Sequence, residues 1–117
     1  MWLPPSTKVF LASEPTDMRN SIDGLCSLAK TKLQGDVFSG HLFVFFGRQK
    51  DRVKILFWDR GGFVVFYKRL EKGRFRLPPV DDTSLSISLD STQLFMLLDG
   101  IDVTQVTRPK KWIPKVA

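Results

Sequence analysis

The run Leu42-Phe43-Val44-Phe45-Phe46, bounded by Gly40 and Gly47, is uninterruptedly apolar. It is too short for a helix and rich in strand formers, and with no polar alternation it predicts a buried central strand. The rest of the chain must then supply partner strands. Val53-Lys54-Ile55-Leu56-Phe57-Trp58 follows after a polar turn over Gly47–Asp51. Asp59-Arg60-Gly61-Gly62 is a tight-hairpin signal, because glycine tolerates the positive φ that short β-turns demand, and it makes Phe63–Leu70 the antiparallel partner.

Flanking segments complete the expected elements. Lys8–Ala12 alternates through Val9 and Leu11 and is stopped by Pro15, which predicts a short first strand. Met18, Ile22, Leu25, Cys26, Ala29 and Leu33 recur at helical spacing, predicting a helix over 17–34 with Thr16 or Asp17 as its cap and Gly35 as its stop. Gly24 inside it points to a close approach by another element. Arg74-Phe75-Arg76-Leu77 alternates as an edge strand ended by Pro78 and Pro79, and Leu85–Leu89 alternates with its hydroxyls outward. Asp90 or Ser91 caps a second helix that turns Leu94, Phe95, Leu97, Leu98 and Ile101 to the core before Gly100.

The expected fold is therefore α+β, a mainly antiparallel sheet of four to six strands with two helices. In a chain of 117 residues, 43% hydrophobic and with ten phenylalanines, one core fits and two domains do not. Residues 1–107 are read as that domain and 108–117, with Arg108, Lys110, Lys111, Lys115 and two prolines, as a mobile basic tail.

Several chemistries lack their residues. The single cysteine, Cys26, excludes an internal disulfide and a multi-thiolate zinc site and suits a reducing cytosol. No stretch reaches the ~18 apolar residues of a membrane span and the start has no signal-peptide pattern, so the expectation is a cytoplasmic protein without membrane contact. His41, the one histidine, opens an apolar strand and reads as structural. Gly61-Gly62 lacks the Lys-Ser/Thr and helix of a phosphate loop. Asp17, Asp23, Asp51 and Asp59 are the candidates for a magnesium-dependent nuclease centre, but Asp17 and Asp23 do not share a helical face and the other two sit in turns. The reading is a protein that is not an enzyme, with no cofactor and no metal.

Charge is the informative feature. Of the formal +6, residues 48–76 carry ten Lys/Arg against three Asp/Glu, whereas residues 1–47 balance four against four and residues 77–117 hold four against five. Arg48, Lys50, Arg52, Lys54, Lys68, Arg69, Lys72, Arg74 and Arg76, with Arg60, are interleaved with Trp58, Phe63, Phe66, Tyr67 and Phe75. A hairpin of 52–58 with 63–69 sets Lys54 near Tyr67 or Arg69 and makes one rim of the sheet positive. Such a rim contacts phosphates in a salt-sensitive way, and an aromatic ring beside it can stack on an unpaired base. The competing reading is a solvated outer face above a core of aromatics.

The order of these segments resembles a known family. Val9-Phe10-Leu11-Ala12-Ser13-Glu14-Pro15-Thr16-Asp17-Met18-Arg19 with Ser21-Ile22-Asp23-Gly24-Leu25, Phe38-Ser39-Gly40-His41-Leu42-Phe43-Val44-Phe45, Asp51-Arg52 through Trp58-Asp59, Gly62-Phe63 through Tyr67 to Phe75, and Leu94–Leu98 with Gly100-Ile101 are similar, in order and spacing, to the TnpB accessory proteins of bacterial insertion sequence 66 elements. Val37, Phe57 and Leu77 depart from the residues usual there, and none is a charged motif position. The resemblance implies a non-catalytic role in transposition beside a separate transposase that cuts and joins the DNA. It assigns no catalytic residue, and Asp17, Met18, Arg19, Asp23, Trp58, Asp59 and Tyr67 are motif positions without an assigned role. The expected partners are DNA, through the basic rim, and the element-encoded transposase; the alternatives are an adaptor for the transposase that does not touch DNA, and a metal-dependent nuclease.

Overall fold

The computed structural model describes residue 4, residues 6–79 and residues 86–100. Its elements are β1 (Val9–Ala12), α1 (Ile22–Thr31), β2 (Leu42–Phe46), β3 (Arg52–Asp59), β4 (Gly62–Arg69), β5 (Ser86–Leu89) and α2 (Ser91–Leu98). They build one five-stranded sheet in the order β4-β3-β2-β1-β5, an α+β fold. β1 and β2 are parallel, with Val9 opposite Leu42, and α1 lies in the connection that such a pair requires. The other pairings are antiparallel.

All five residues of β2 are buried, and alternation sends them into two separate cores. Phe43 and Phe45 join Leu25 and Ala29 of α1, with Leu56 and Val37. Leu42, Val44 and Phe46 join Val9, Leu11, Val53, Ile55 and Phe75, with Leu94, Leu97 and Leu98 of α2. One helix thus serves each face of the sheet. The hairpin follows its signal: Asp59 pairs with Gly62 around Arg60 (φ 43°) and Gly61 (φ 88°), the two positive φ values of a type I′ turn.

Four expectations need correction. The first helix runs from Ile22, with Ser21 in the cap position, to Thr31, not over 17–34 with Thr16 or Asp17 as cap and Gly35 as stop. Asp17 spends its carboxylate on the backbone N–H of Arg19 (2.9 Å) and Asn20 donates its N–H to the carbonyl of Asp17 (3.1 Å), so this short polar stretch makes a turn instead of a first helical turn. The close approach at Gly24 comes from the side chain of Asn20 in that turn, since a Cβ on Gly24 would lie 2.2 Å from its Oδ1. Arg74–Leu77 is not a strand. Its alternation is kept, with Phe75 buried and both arginines exposed, but the Phe75 N–H donates to the carbonyl of Lys50 in the β2–β3 turn (2.7 Å), and the segment crosses the end of the sheet without extending an edge. Phe95 is 37% exposed on the outer side of α2, while Leu94, Leu97 and Leu98 are buried as expected.

The cap signal of the second helix holds. Asp90 caps α2 in a reciprocal capping box with Gln93. Gly35 lies beyond the end of α1 and does not stop it, and the left-handed residue there is Gln34 (φ 52°); Gly35 is required by space, because a Cβ there would lie 2.3 Å from the ring of Phe43. Leu85, Ile101, the expected boundary at 107 and the basic tail lie outside the described residues. Since Phe43 is itself in the core and cannot swing away, Gly35→Ala is expected to destabilise the protein by about 1–3 kcal/mol, measured as a lower urea midpoint with unchanged slope.

Candidate nucleic-acid interface

The parallel pairing brings the exits of β1 and β2 to one end of the sheet, where β3 begins and β4 finishes. Arg48 and Lys50 occupy the β2–β3 turn, which is closed by Lys50 N–H to the Gly47 carbonyl (3.0 Å) and holds Lys50 at φ 61°. Arg52 opens β3 directly opposite Arg69 at the end of β4. Leu70 donates its N–H to the Asp51 carbonyl (2.7 Å), and the Phe75 bond to Lys50 returns the chain, so Lys72, Arg74 and Arg76 are held at the same end. All of these cations are exposed. The side chains of Arg48, Lys50, Arg52, Lys72, Arg74 and Arg76 make no hydrogen bond or ion pair among the described residues.

Arg69 differs from them. Like charges directly opposite on neighbouring strands are destabilising, and Glu71 offsets the Arg52/Arg69 pair by accepting from Arg69 Nη2 (2.8 Å) and Nε (3.0 Å). That carboxylate raises the Arg69 pKa. The pair is open to water, 55% and 79% exposed, where such bridges contribute about 0–1 kcal/mol and exchange readily.

Two expected contact residues face inward. Lys54 is half-buried, with Nζ donating to the Asn20 carbonyl (2.8 Å) and lying 5.0 Å from the centre of the Tyr67 ring. Lys68, on the other face, donates from Nζ to the carbonyl of Leu98 (3.0 Å) and so satisfies the last turn of α2 with a positive charge.

The motif residues divide between the two ends of the sheet. Asp17 holds the guanidinium of Arg19 in a fork of side-chain bonds, 2.6 Å at the shortest, which lowers the Asp17 pKa to about 2 and raises that of Arg19. Met18 packs over Gly47, where a Cβ would lie 2.9 Å from its Cγ. Together with Thr16 N–H to the Phe46 carbonyl (2.8 Å), this docks the β1–α1 loop beside the basic turn. Asp23 lies in the first turn of α1, a favourable place for a negative charge. Trp58 stacks edge-on with Phe38 and Phe63 near the β3–β4 hairpin that holds Asp59 and Arg60, at the far end from the other cations of the basic segment. Tyr67 is at the basic end, on the face of Arg69. Asn20 and Glu71 are the contributors that sequence reasoning missed; the four-residue spacing of Asn20 and Gly24 was the available signal for the first.

The structure does not gather the four candidate nuclease carboxylates: Asp17 and Asp51 line one cleft with Arg48 and Arg52, but Asp23 and Asp59 are not part of it. Asp51 immediately precedes β3 and Asp59 is its last residue, so the two are on the order of 25 Å apart, and Asp17 is committed to Arg19. Among the described residues no group of three His, Cys, Asp or Glu side chains is placed to hold a metal. His41 accepts the Lys8 N–H at Nδ1 (3.0 Å), a structural role. Cys26 is half-buried, and burial pushes its thiol pKa up.

Comparison with known proteins places this geometry. The family model described as IS66 Orf2 like protein matches residues 7–108. The chain is similar to the uncharacterized protein y4jC of Sinorhizobium fredii (strain NBRC 101917 / NGR234), 37% identical over 111 residues that cover 94% of this chain and 93% of that protein. It is also similar to the uncharacterized protein y4hO of the same strain, 36% identical over 97 residues covering 83% of each chain. No solved structure matches. No helix among the described residues is long and apolar enough to cross a membrane. With the match running from just before β1 to beyond α2, the chain belongs to the IS66 Orf2-like family and is an insertion-sequence-associated accessory protein of transposition.

Proposed function

We propose that the protein binds DNA through the cationic end of its sheet and assists the transposase of its element without cutting DNA itself. The observation that carries this reading is the crowding, at one end of the sheet, of exposed arginines and lysines that have no partner among the described residues, with Arg52 set directly against Arg69. A fold gains nothing from that repulsion, whereas a phosphate backbone relieves it and releases its own counterions. Arg48, Lys50, Arg52, Arg69, Lys72, Arg74 and Arg76 are the contacts in this reading. Lys54 and Lys68 support it from within, one holding the β1–α1 loop and the other the end of α2.

The adaptor reading is favoured by one observation: Arg69 already binds a carboxylate, that of Glu71, and an acidic patch on the transposase presents the same chemistry.

The deciding experiment is binding of the purified protein to labelled element-end and scrambled duplexes over a salt series, with magnesium present and the products run on a denaturing gel. Salt-sensitive binding without cleavage is expected. Reversing Arg52, Arg74 and Arg76 to Glu is expected to lower affinity more than tenfold at low salt and to reduce the log–log salt slope by about 3, near 0.9 for each phosphate that is no longer neutralised. Unchanged binding by that folded variant, or co-purification with the transposase by a protein that ignores DNA, would move the interface to the adaptor reading.

Glu71→Gln frees Arg69 and is expected to tighten DNA binding by up to about fivefold, the worth of an exposed ion pair. Lys68→Met removes an internal partner instead of a phosphate-binding group. It is expected to cost about 1–2 kcal/mol of stability in denaturant titration while leaving the salt slope as it was.

A further inference from the structure

We infer that Tyr67 is a stacking platform for an unpaired base, so that the protein prefers single-stranded or locally melted DNA to intact duplex. This rests on the DNA-binding reading and adds the form of DNA recognised. Tyr67 is 49% exposed near the end of edge strand β4 and belongs to neither hydrophobic core. Its hydroxyl makes no hydrogen bond among the described residues. Packing therefore does not account for an aromatic residue at this position.

Its surroundings match what an unpaired nucleotide offers. Lys54, opposite Tyr67 in the β3–β4 register, sits 5.0 Å from the ring centre and is itself tied to the Asn20 carbonyl. The ring is thereby supported by a fixed cation on a residue that remains exposed to solvent. The next residue of β4 on the same face is Arg69, about 7 Å along the strand, with Arg52 across from it. A flat π surface therefore lies one strand repeat from two guanidinium groups, which is the arrangement of a base beside its phosphate. The guanidinium of Arg69 is shared with Glu71 in an exposed bridge that a phosphate would have to displace. Stacking of this kind tolerates every base, because each has a π face. In a closed duplex those faces are covered by neighbouring bases, and the ring has nothing to meet. Phe66, 36% exposed, points to the opposite face and cannot complete a second layer.

Anisotropy titrations with labelled oligothymidine and with a duplex of equal length test the inference on the full chain. The wild type is expected to bind the single strand more tightly. Tyr67→Leu, which keeps the apolar bulk but loses the π face, should weaken single-strand binding about tenfold, the effect of one base stack, and leave duplex binding unchanged. Tyr67→Phe should bind as the wild type does, and thermal unfolding of both variants checks that they are folded. Equal losses on both DNAs, no loss on either, or loss only of transposase co-purification would overturn the stacking role. Charge reversal at Arg74 and Arg76 separates the two proposals. If it affects duplex binding while Tyr67→Leu changes nothing, stacking alone falls; if neither DNA is bound in a charge-dependent way, the DNA-binding reading falls and takes stacking with it.

Discussion

Because no residue of β2 meets water, the sheet must be covered on both faces, and most of the architecture follows from that requirement. Phe43 and Phe45 need one cover, supplied by Leu25 and Ala29 of α1; Leu42, Val44 and Phe46 need another, supplied by α2 and Phe75. A strand buried on both sides is also a strand with partners on both edges. β3 arrives by a short turn, whereas β1 arrives parallel, and a parallel partner is reachable only through a long connection. The connection contains α1, so one chain segment both closes the topology and covers the face.

The parallel pair also decides where loops accumulate. β1 and β2 exit at the same end, and the β1–α1 loop, the β2–β3 turn and the chain leaving β4 meet there. The backbone is stitched across this end by Thr16 to Phe46, Leu70 to Asp51 and Phe75 to Lys50, and Met18 fills the space left by Gly47. The cations are thus presented by a braced backbone. Lys54 and Lys68 extend the bracing into the sheet, each using an ammonium to satisfy a carbonyl at a place where an element starts or stops.

Much of this was legible in the sequence, and the failures share a cause. The run 42–46, the Arg60-Gly61 turn and the Asp90 cap, one of the two read for α2, are local signals, and each formed where it was read. Periodicity misled where a non-local bond decided the outcome. Met18 continues the apolar spacing of α1 in sequence but packs on Gly47 from a turn, and Phe75 keeps a strand's alternation while its N–H serves the β2–β3 turn. The basic rim was visible as a charge-rich segment, but its internal division was not. Nothing in the composition separates Lys68, which ends α2, from Lys72, which faces solvent, because the distinction lies in a carbonyl thirty residues away.

The electrostatics of the rim are what a purely structural account leaves over. Two cations outside the basic segment are matched, Arg19 by Asp17 and Lys32 by Glu14, while Lys8 and Lys30 have no ion pair among the described residues. Of the cations between residues 48 and 76, only Arg69 has a carboxylate partner among the described residues, in an exposed bridge of small net worth. Mutual repulsion among the remaining cations is screened over about 10 Å at ordinary salt, so it is tolerated, but it is not stabilising. A partner of isolated carboxylates would relieve it at a few points. A polyphosphate backbone, with charge repeated along its length, relieves it at every cation within reach, and the dense, one-ended spacing of this rim fits the second kind of partner better than the first.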